Sequence, residues 1–195
     1  MTVRRGAGGP PQRRHGPKGR TTGPTLATRI EEMRAAGRES AFLALDELHY
    51  GQNLAALLQI AAAGGVDGIV LPPARSHPGV TPTVRRLAGA AADLTPLHRQ
   101  GLMASLAQFR RAGYLIVGAW EGAERDYHEL DYTIAPVVFA LGGEDKGLTK
   151  SVRSRCEELV RLPMRGAVPS LNVAATAAVL VFERLRQLRE KAGTA

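Results

Sequence analysis

Two short segments in the second half of the chain carry residue types that bind and orient small molecules. Gly142 and Gly143 follow the apolar run Val137–Leu141, and glycine lets a backbone approach a ligand closely, although an ordinary turn after a strand uses the same residue. Ser170 and Asn172 stand at the start of a long amphipathic segment. Their hydroxyl and amide groups can orient an acceptor hydroxyl, and both residue types also favour helix N-caps. Neither group is a good base at neutral pH.

Other kinds of catalytic site lack their signatures in this sequence. The turn Asp46–Gln52 holds one glycine, whereas a nicotinamide-binding turn needs Gly-x-Gly-x-x-Gly, and Gly142–Gly147 does not match a phosphate-binding loop. No Gly-x-Ser-x-Gly nucleophile elbow occurs. Cys156 is the only cysteine, which excludes an intramolecular disulfide and a cysteine-based zinc site. We expect no metal, because the histidines are scattered without ligand spacing: His15, His49, His77, His98 and His128.

Strands and helices alternate along the chain, which predicts an α/β fold with a mostly parallel sheet. Short apolar runs bounded by glycine, proline or aspartate predict strands at Ala41–Leu45, Gly68–Leu71, Leu94–Leu97, Tyr114–Gly118, Val137–Leu141 and Leu159–Leu162. Apolar residues at helical spacing predict helices at Ile30–Ala36, Asn53–Ala63, Thr83–Ala92, Leu102–Ala112 and from Ser170 to about Lys191.

Length and composition indicate one globular domain. The 195 residues can bury a core of their own, and 44% apolar with 23% charged residues is typical of such domains. No apolar run approaches the roughly 18 to 20 residues of a membrane helix, and no apolar segment follows the N-terminal charges as in a secretory signal. We therefore expect a cytoplasmic protein without membrane contact.

The N-terminal segment is strongly basic. Seven of the 26 Lys and Arg residues precede residue 30, with no Asp or Glu among them, which leaves 19 basic and 18 acidic residues for the rest. Residues 1–24 hold four prolines and little apolar surface, so we predict a flexible arm there and a folded domain over 25–195. Such an arm suits phosphate contacts with RNA, or it only solubilises the chain. The predicted RNA-binding residues are Arg4, Arg5, Arg13, Arg14, Lys18, Arg20 and Arg29.

Three stretches, in order, resemble the motifs of SpoU (TrmH-like) RNA methyltransferases of the SPOUT class. Leu45–Leu54 resembles the first motif, in which a strand ends in Asp and a following Asn opens a helix. Phe139–Leu148 resembles the second motif, a strand followed by a loop rich in Gly and Glu. Residues 162–166 with Pro169–Ala174 resemble the third, and the linker Gly79–Ala90 also resembles the family's. The similarity spans nearly everything from Leu43 onward.

This resemblance implies a C-terminal deep trefoil knot, a homodimer formed through the last helix, and S-adenosyl-L-methionine as the cofactor. It implies an rRNA or tRNA substrate methylated on a ribose 2′-oxygen. The residues it places at the cofactor are Leu141, Gly142, Gly143, Gly147, Leu162, Met164, Ser170, Leu171 and Ala174. The residues it places at the methyl-transfer site are Asn53, Glu144, Ser170 and Asn172.

The first motif departs from the family pattern in one chemically important position. The family has Gly two residues and Arg six residues after the Asn, whereas this chain has Ala55 and Gln59 after Asn53. Glutamine lacks the permanent charge and the bidentate fork that match a phosphate. Three hypotheses follow. Another basic residue replaces the charge, drawn from the partner subunit or from Arg29, Arg34 or Arg75. Alternatively the acceptor differs, with His49 as a candidate base, or the protein binds cofactor or RNA without catalysis.

Overall fold

A computed structural model describes residues 24–73, 79–143 and 146–193 of the chain. In these residues a single sheet has seven strands in the order β3-β2-β1-β6-β4-β7-β5, and every neighbouring pair is parallel. The strands are β1 (Ala41–Leu45), β2 (Gly68–Leu71), β3 (Leu97–Arg99), β4 (Leu115–Ala119), β5 (Arg125–Asp126), β6 (Val137–Leu141) and β7 (Glu158–Arg161). The predicted α/β class with a mostly parallel sheet is confirmed.

Helices cover both faces of this sheet. They are α1 (Leu26–Ala35), α2 (Gly51–Gly64), α3 (Pro82–Ala88), α4 (Ala91–Leu94), α5 (Leu102–Arg111), α6 (Lys150–Arg153) and α7 (Val173–Gly193), with a 3₁₀ turn at Tyr127–Glu129. Because side chains alternate along a strand, β1 feeds two cores. Leu43 and Leu45 pack with α2, α3 and α7, whereas Phe42 and Ala44 pack with α1, α5 and α6.

The segment between β2 and α5 differs from the sequence prediction. The predicted helix Thr83–Ala92 is interrupted at Gly89, whose φ of 59° lies outside the helical region. The predicted strand Leu94–Leu97 is displaced, since Leu94 ends α4 and β3 begins at Leu97. The long last helix begins at Val173 rather than Ser170. Composition gave no signal for β5 or α6, because both elements are too short to show a periodicity.

Helix α7 packs against the sheet layer through a buried arginine as well as through apolar side chains. Arg184 is only 5% exposed, and its Nη2 donates to the carbonyl oxygen of Glu39 at 2.7 Å. Leu185 and Leu188, which the apolar pattern assigned to the buried face, are half-buried. No helix in the described residues is both long and apolar enough to span a membrane.

Candidate active site

A cavity of about 470 Å³ lies at the carboxyl ends of β4, β6 and β7. Leu141, Ala119 and Val160, from the ends of these strands, form its floor. The starts of α2 and α7 and the loop before α7 form its other walls. In a parallel sheet, the loops that follow neighbouring strands meet at one edge, and that edge is where small-molecule sites form.

Most of the predicted site residues converge on this cavity. Ten of the twelve distinct cofactor and methyl-transfer residues line it: Asn53, Leu141, Gly142, Gly143, Gly147, Leu162, Met164, Ser170, Leu171 and Asn172. Ala174, in the first turn of α7, does not line it, and its side chain belongs to the buried core. Glu144 lies outside the described residues.

The glycines of the second motif close a tight loop beside the cavity. Gly143 and Gly147 exchange two backbone hydrogen bonds, with N to O distances of 3.2 and 3.1 Å. A side chain at Gly142 would overlap the backbone of Gly147 and Leu148, and Gly147 has a φ of 61°. These glycines are therefore required by the close approach of the loop to itself. That they also let the backbone approach a ligand stays a prediction.

One hydrogen bond joins the first motif to the third across the mouth of the cavity. The Nδ2 of Asn172 donates to the Oδ1 of Asn53 at 2.9 Å. The Oδ1 of Asn172 accepts from the backbone N–H of Ala174 at 2.8 Å, and its carbonyl oxygen accepts from Thr176. Asn172 is thus the N-cap of α7, and the cap fixes which way its amide points. Ser170 is exposed and stands just outside the helix.

Sequence reasoning missed several residues that line the cavity: Tyr50, Ala119, Trp120, Glu121, Lys146, Val160 and Thr176. Among the described lining residues, Glu121 and Lys146 are the ones that carry charge. Glu121 and Trp120 directly follow β4. The position of β4 between β6 and β7 is the signal that could have found them, and strand order is not readable from composition.

Trp120 forms an aromatic wall of the cavity and is held in place from more than one side. The Arg153 guanidinium lies 4.3 Å from the centre of its ring, a cation–π geometry. A Cβ on Gly122 would lie 2.5 Å from the indole Cζ2, so the ring needs a glycine there. The backbone N–H of Trp120 donates to the carbonyl of Val160 at 2.9 Å. Since Trp120 is the only tryptophan in the chain, its fluorescence reports on this site.

The single cysteine, Cys156, is half-buried and is not a nucleophile. Burial, together with the nearby Glu157 carboxylate, raises the pKa of the Cys156 thiol to about 12. The thiolate is the reactive form of cysteine, so the group is inert at neutral pH. The described part of the chain also holds no cluster of three His, Cys, Asp or Glu residues able to bind a metal.

Among the described residues, neither Gln59 nor the side chains considered in its place line the cavity. Gln59 is exposed and donates to the carbonyl of Leu87 at 3.1 Å. Arg29 pairs with Glu32 at 3.2 Å and with Asp67 at 3.8 Å, near the amino ends of β1 and β2. Arg34 pairs with Glu31 on the surface of α1, and His49 lies 3.7 Å from Glu47. Arg75 and six predicted RNA-binding residues lie outside the described residues: Arg4, Arg5, Arg13, Arg14, Lys18 and Arg20.

Residues 40–182 match the sequence pattern of the SpoU rRNA Methylase family, and this span includes both sides of the cavity. The chain belongs to the SpoU rRNA methylase family. The expected family resemblance is therefore confirmed, and it includes the three motifs that meet at Asn53, Gly142 and Asn172.

Individual SpoU relatives agree with this assignment. The chain is 37% identical over 150 residues to the 23S rRNA (guanosine-2′-O-)-methyltransferase RlmB of Pseudomonas putida, covering 76% of this chain and 60% of that protein. It is 38% identical over 154 residues to RlmB of Xylella fastidiosa, covering 78% of this chain and 61% of the relative. It thus spans about three fifths of the length of these relatives.

A solved structure gives the same result for the fold. The AdoMet-bound rRNA methyltransferase from Sinorhizobium meliloti superposes with a TM-score of 0.69 and is 27% identical, over 76% of this chain and 57% of that one. The mostly parallel sheet flanked by helices is therefore the fold of SPOUT methyltransferases.

Proposed function

We propose that this SpoU protein is an S-adenosyl-L-methionine-dependent RNA methyltransferase that modifies a ribose 2′-oxygen of rRNA or tRNA. The observation that carries the proposal is the hydrogen bond between Asn53 and Asn172, which joins two family motifs 119 residues apart at the mouth of one cavity. The names of the RlmB relatives and of the AdoMet-bound structural neighbour support the acceptor and the cofactor.

The cavity fits the cofactor in size and in chemistry. Its volume of about 470 Å³ lies within the range of sites for molecules of this kind. Leu141, Leu162 and Trp120 offer apolar surface for an adenine ring, and Glu121 carries the charge opposite to that of an amino-acid ammonium. Bound there, the cofactor supplies an electrophilic methyl group on a sulfonium, which transfers in line to an acceptor oxygen.

The protein's own contribution is to position the acceptor. Ser170, Asn53 and Asn172 present a hydroxyl and two amides at the cavity mouth, and these groups can hold a ribose hydroxyl opposite the leaving sulfur. None of the three is a base, so the acceptor proton must pass to another group or to water, and a nearby cation would help by lowering the pKa of the hydroxyl. Glu144, which belongs to the second motif, remains a proposed orienting group.

Lys146 is our proposed substitute for the missing motif-one arginine. It is the cation among the described residues that line the cavity, whereas Arg29 and Arg34 lie elsewhere. The Gln59 side chain donates to the Leu87 carbonyl and so does not take the place of the arginine. We therefore keep an alternative proposal, in which this SpoU protein methylates a different acceptor, or binds cofactor or RNA without catalysis.

Transfer of labelled methyl groups tests the proposal. The full chain is incubated with radiolabelled S-adenosyl-L-methionine and rRNA or tRNA from a strain lacking the gene, and 2′-O-methyl nucleosides are identified by mass spectrometry against the parent strain. We expect one ribose methyl to be absent in the deletion strain and restored in vitro. Binding of the cofactor, seen as a change in Trp120 fluorescence, without transfer to any RNA would favour the non-catalytic alternative.

We propose a homodimer as the working state. Several large apolar side chains are exposed in the single chain: Tyr50 and Leu171, which line the cavity, Val168 in the loop before α7, and Phe182 on α7. Exposed apolar patches of this kind are typical of protein interfaces, and two-fold dimers are the commonest assembly. Light scattering should give twice the chain mass of 20.8 kDa, and a stable, active monomer would contradict the proposal.

Three further properties remain proposals. The first is a deep trefoil knot, supported by the meeting of the Leu141–Gly147 loop and the segment before α7 around one cavity; a crystal structure with an unthreaded C-terminus would contradict it. The second is the division into a flexible basic arm over residues 1–24 and a methyltransferase domain over 25–195. The third is a cytoplasmic location, in keeping with an RNA substrate.

A further inference from the structure

The segment that follows the glycine loop of the second motif is purely cationic. Residues 146–156 contain Lys146, Lys150, Arg153 and Arg155, and no Asp or Glu. This segment includes α6 and the turn after it, and Val152 of α6 packs in the same core as α5. Its first residue, Lys146, lines the cavity, and Arg153 lies over Trp120 of the cavity wall.

A second cavity continues this cationic surface away from the active site. It has a volume of about 230 Å³, and arginines are three of its six lining residues: Arg110, Arg111 and Arg155, with Leu106, Ala107 and Ile116 as the apolar base. Arg110 and Arg111 end α5, which leads into the amino end of β4, whereas Trp120 follows the carboxyl end of that strand. The five residues of β4 span roughly 16 Å at a rise of about 3.3 Å each, so the cations extend along one side of the sheet over that length.

The three arginines that line this second cavity, called the groove below, make different contacts. Arg110 is committed to the protein, since its Nε donates to Glu157 Oε1 at 2.6 Å and its Nη2 to the carbonyl of Arg155 at 2.6 Å. The other oxygen of Glu157 accepts from the backbone N–H of Ile116 at 2.9 Å. Each oxygen of the Glu157 carboxylate therefore already accepts a hydrogen bond from another part of the protein. Arg111 and Arg155 are exposed and form no ion pair with a carboxylate of the described residues.

We propose that Arg111 and Arg155, with Arg153 between them and the active site, bind consecutive phosphates of the substrate RNA and guide its strand to the cavity. The inference deepens the proposed function and rests on it for the identity of the polymer. Exposed guanidinium groups match phosphate bidentately, and their arrangement along a line that ends at the reaction cavity suits a strand rather than a single small anion. Arg110 is a positioning residue, because it holds the backbone that carries Arg155.

The salt dependence of RNA binding tests this assignment. Each phosphate contact to a single strand contributes about 0.7 to the slope of log K against log salt. The double variant Arg111→Gln/Arg155→Gln should therefore lose about 1.4 of that slope, measured by anisotropy of a short fluorescein-labelled single-stranded RNA. Between about 50 and 200 mM salt, the affinity of the wild type should fall about sevenfold more than that of the variant.

A matched control variant removes two arginine charges from another part of the protein surface. Arg86 and Arg189 are also exposed, form no ion pair with the described residues, and lie on α3 and α7 at the opposite face of the sheet. Arg86→Gln/Arg189→Gln should keep the wild-type slope. The proposal would be overturned if Arg111→Gln/Arg155→Gln kept the wild-type salt slope, as expected if the groove bound an acidic protein instead of RNA. It would also be overturned if both double variants lost the same amount of slope.

Separate readouts distinguish this inference from the proposed function. Cofactor affinity, followed by Trp120 fluorescence, should be the same in the wild type and in Arg111→Gln/Arg155→Gln, because neither residue lines the main cavity. Methyl transfer by the wild type tests the proposed function alone. If the wild type is active but Arg111→Gln/Arg155→Gln keeps the wild-type salt slope, the proposed RNA contacts in the groove are wrong. If the wild type is inactive but the salt slope of the variant is reduced, the proposed catalysis is wrong and the RNA contacts stand.

Discussion

The hydrogen bond between Asn53 and Asn172 should have a measurable energy that is separable from the helix cap that Asn172 also provides. Asn172 has two roles, because its Oδ1 caps α7 through Ala174 and its Nδ2 donates to Asn53. Loss of an N-cap costs about 1 kcal/mol. The bond to Asn53 is exposed, so we assign it about 0.5 kcal/mol, the lower end of the usual range. Asn172→Ala should therefore lower the free energy of unfolding by about 1.5 kcal/mol.

Serine at position 172 separates the two contributions. Its hydroxyl keeps the capping oxygen but is too short to replace the amide donor, so Asn172→Ser should lose only about 0.5 kcal/mol. Asn53 has further contacts, which inflate the effect of Asn53→Ala alone. The double-mutant cycle of Asn53→Ala with Asn172→Ala cancels those contacts and should give a coupling energy of about 0.5 kcal/mol.

Urea unfolding followed by Trp120 fluorescence measures these differences. With a denaturant slope of about 2 kcal/mol per M, the midpoint of Asn172→Ala should fall by about 0.75 M and that of Asn172→Ser by about 0.25 M. An Asn172→Ser midpoint as low as that of Asn172→Ala would show that the cap is not the larger contribution. Strictly additive effects of the two alanine substitutions would refute the proposed link between the motifs.

Further predictions concern the wall of the cavity and the buried polar groups. Gly122→Ala should weaken cofactor binding in a fluorescence titration without unfolding the protein, because its Cβ would push against the Trp120 indole; unchanged affinity would show that the ring is free to move. Arg184→Leu should destabilise the fold by about 2 kcal/mol in urea, since it leaves the carbonyls of Glu39 and Ser40 without their charged donor. Burial, with Arg29 nearby, lowers the pKa of His98. The unfolded chain therefore binds the proton more readily, so stability should fall as the pH drops below about 6.5, less steeply in His98→Gln; equal slopes would reject this.

Much of the architecture follows from local sequence. The runs Ala41–Leu45, Gly68–Leu71 and Val137–Leu141 form strands at the predicted bounds, because a strand buried on both faces needs a continuous apolar run. Gly65 ends α2 with a φ of 70°, as a glycine after a helix predicts. Where the signal was weak, as in Leu94–Leu97, the strand was displaced, since three residues carry no usable periodicity.

The candidate site also contains residues that the sequence predicted and residues that it did not. Motif residues such as Gly142, Ser170 and Asn172 were identified through their order and spacing, and they do line one cavity. Trp120 and Glu121 were not, because they lie in none of the motifs and nothing local to them indicates that the loop after β4 lies beside the motif loops. Arg184 was also missed, since a buried cation is tolerated only where backbone carbonyls happen to receive it.

The fold class, the family motifs and the loss of the motif-one arginine at Gln59 could all be read from the amino-acid sequence, because each depends on residue type and spacing along the chain. The folded chain was needed to show that the Lys146 side chain lines the cavity, that Arg153 lies over Trp120, and that Arg110, Arg111 and Arg155 share a second cavity. The physical reason is that strand order, with β4 between β6 and β7, brings together loops that are distant in sequence. Charge and shape at a site depend on those neighbours in space.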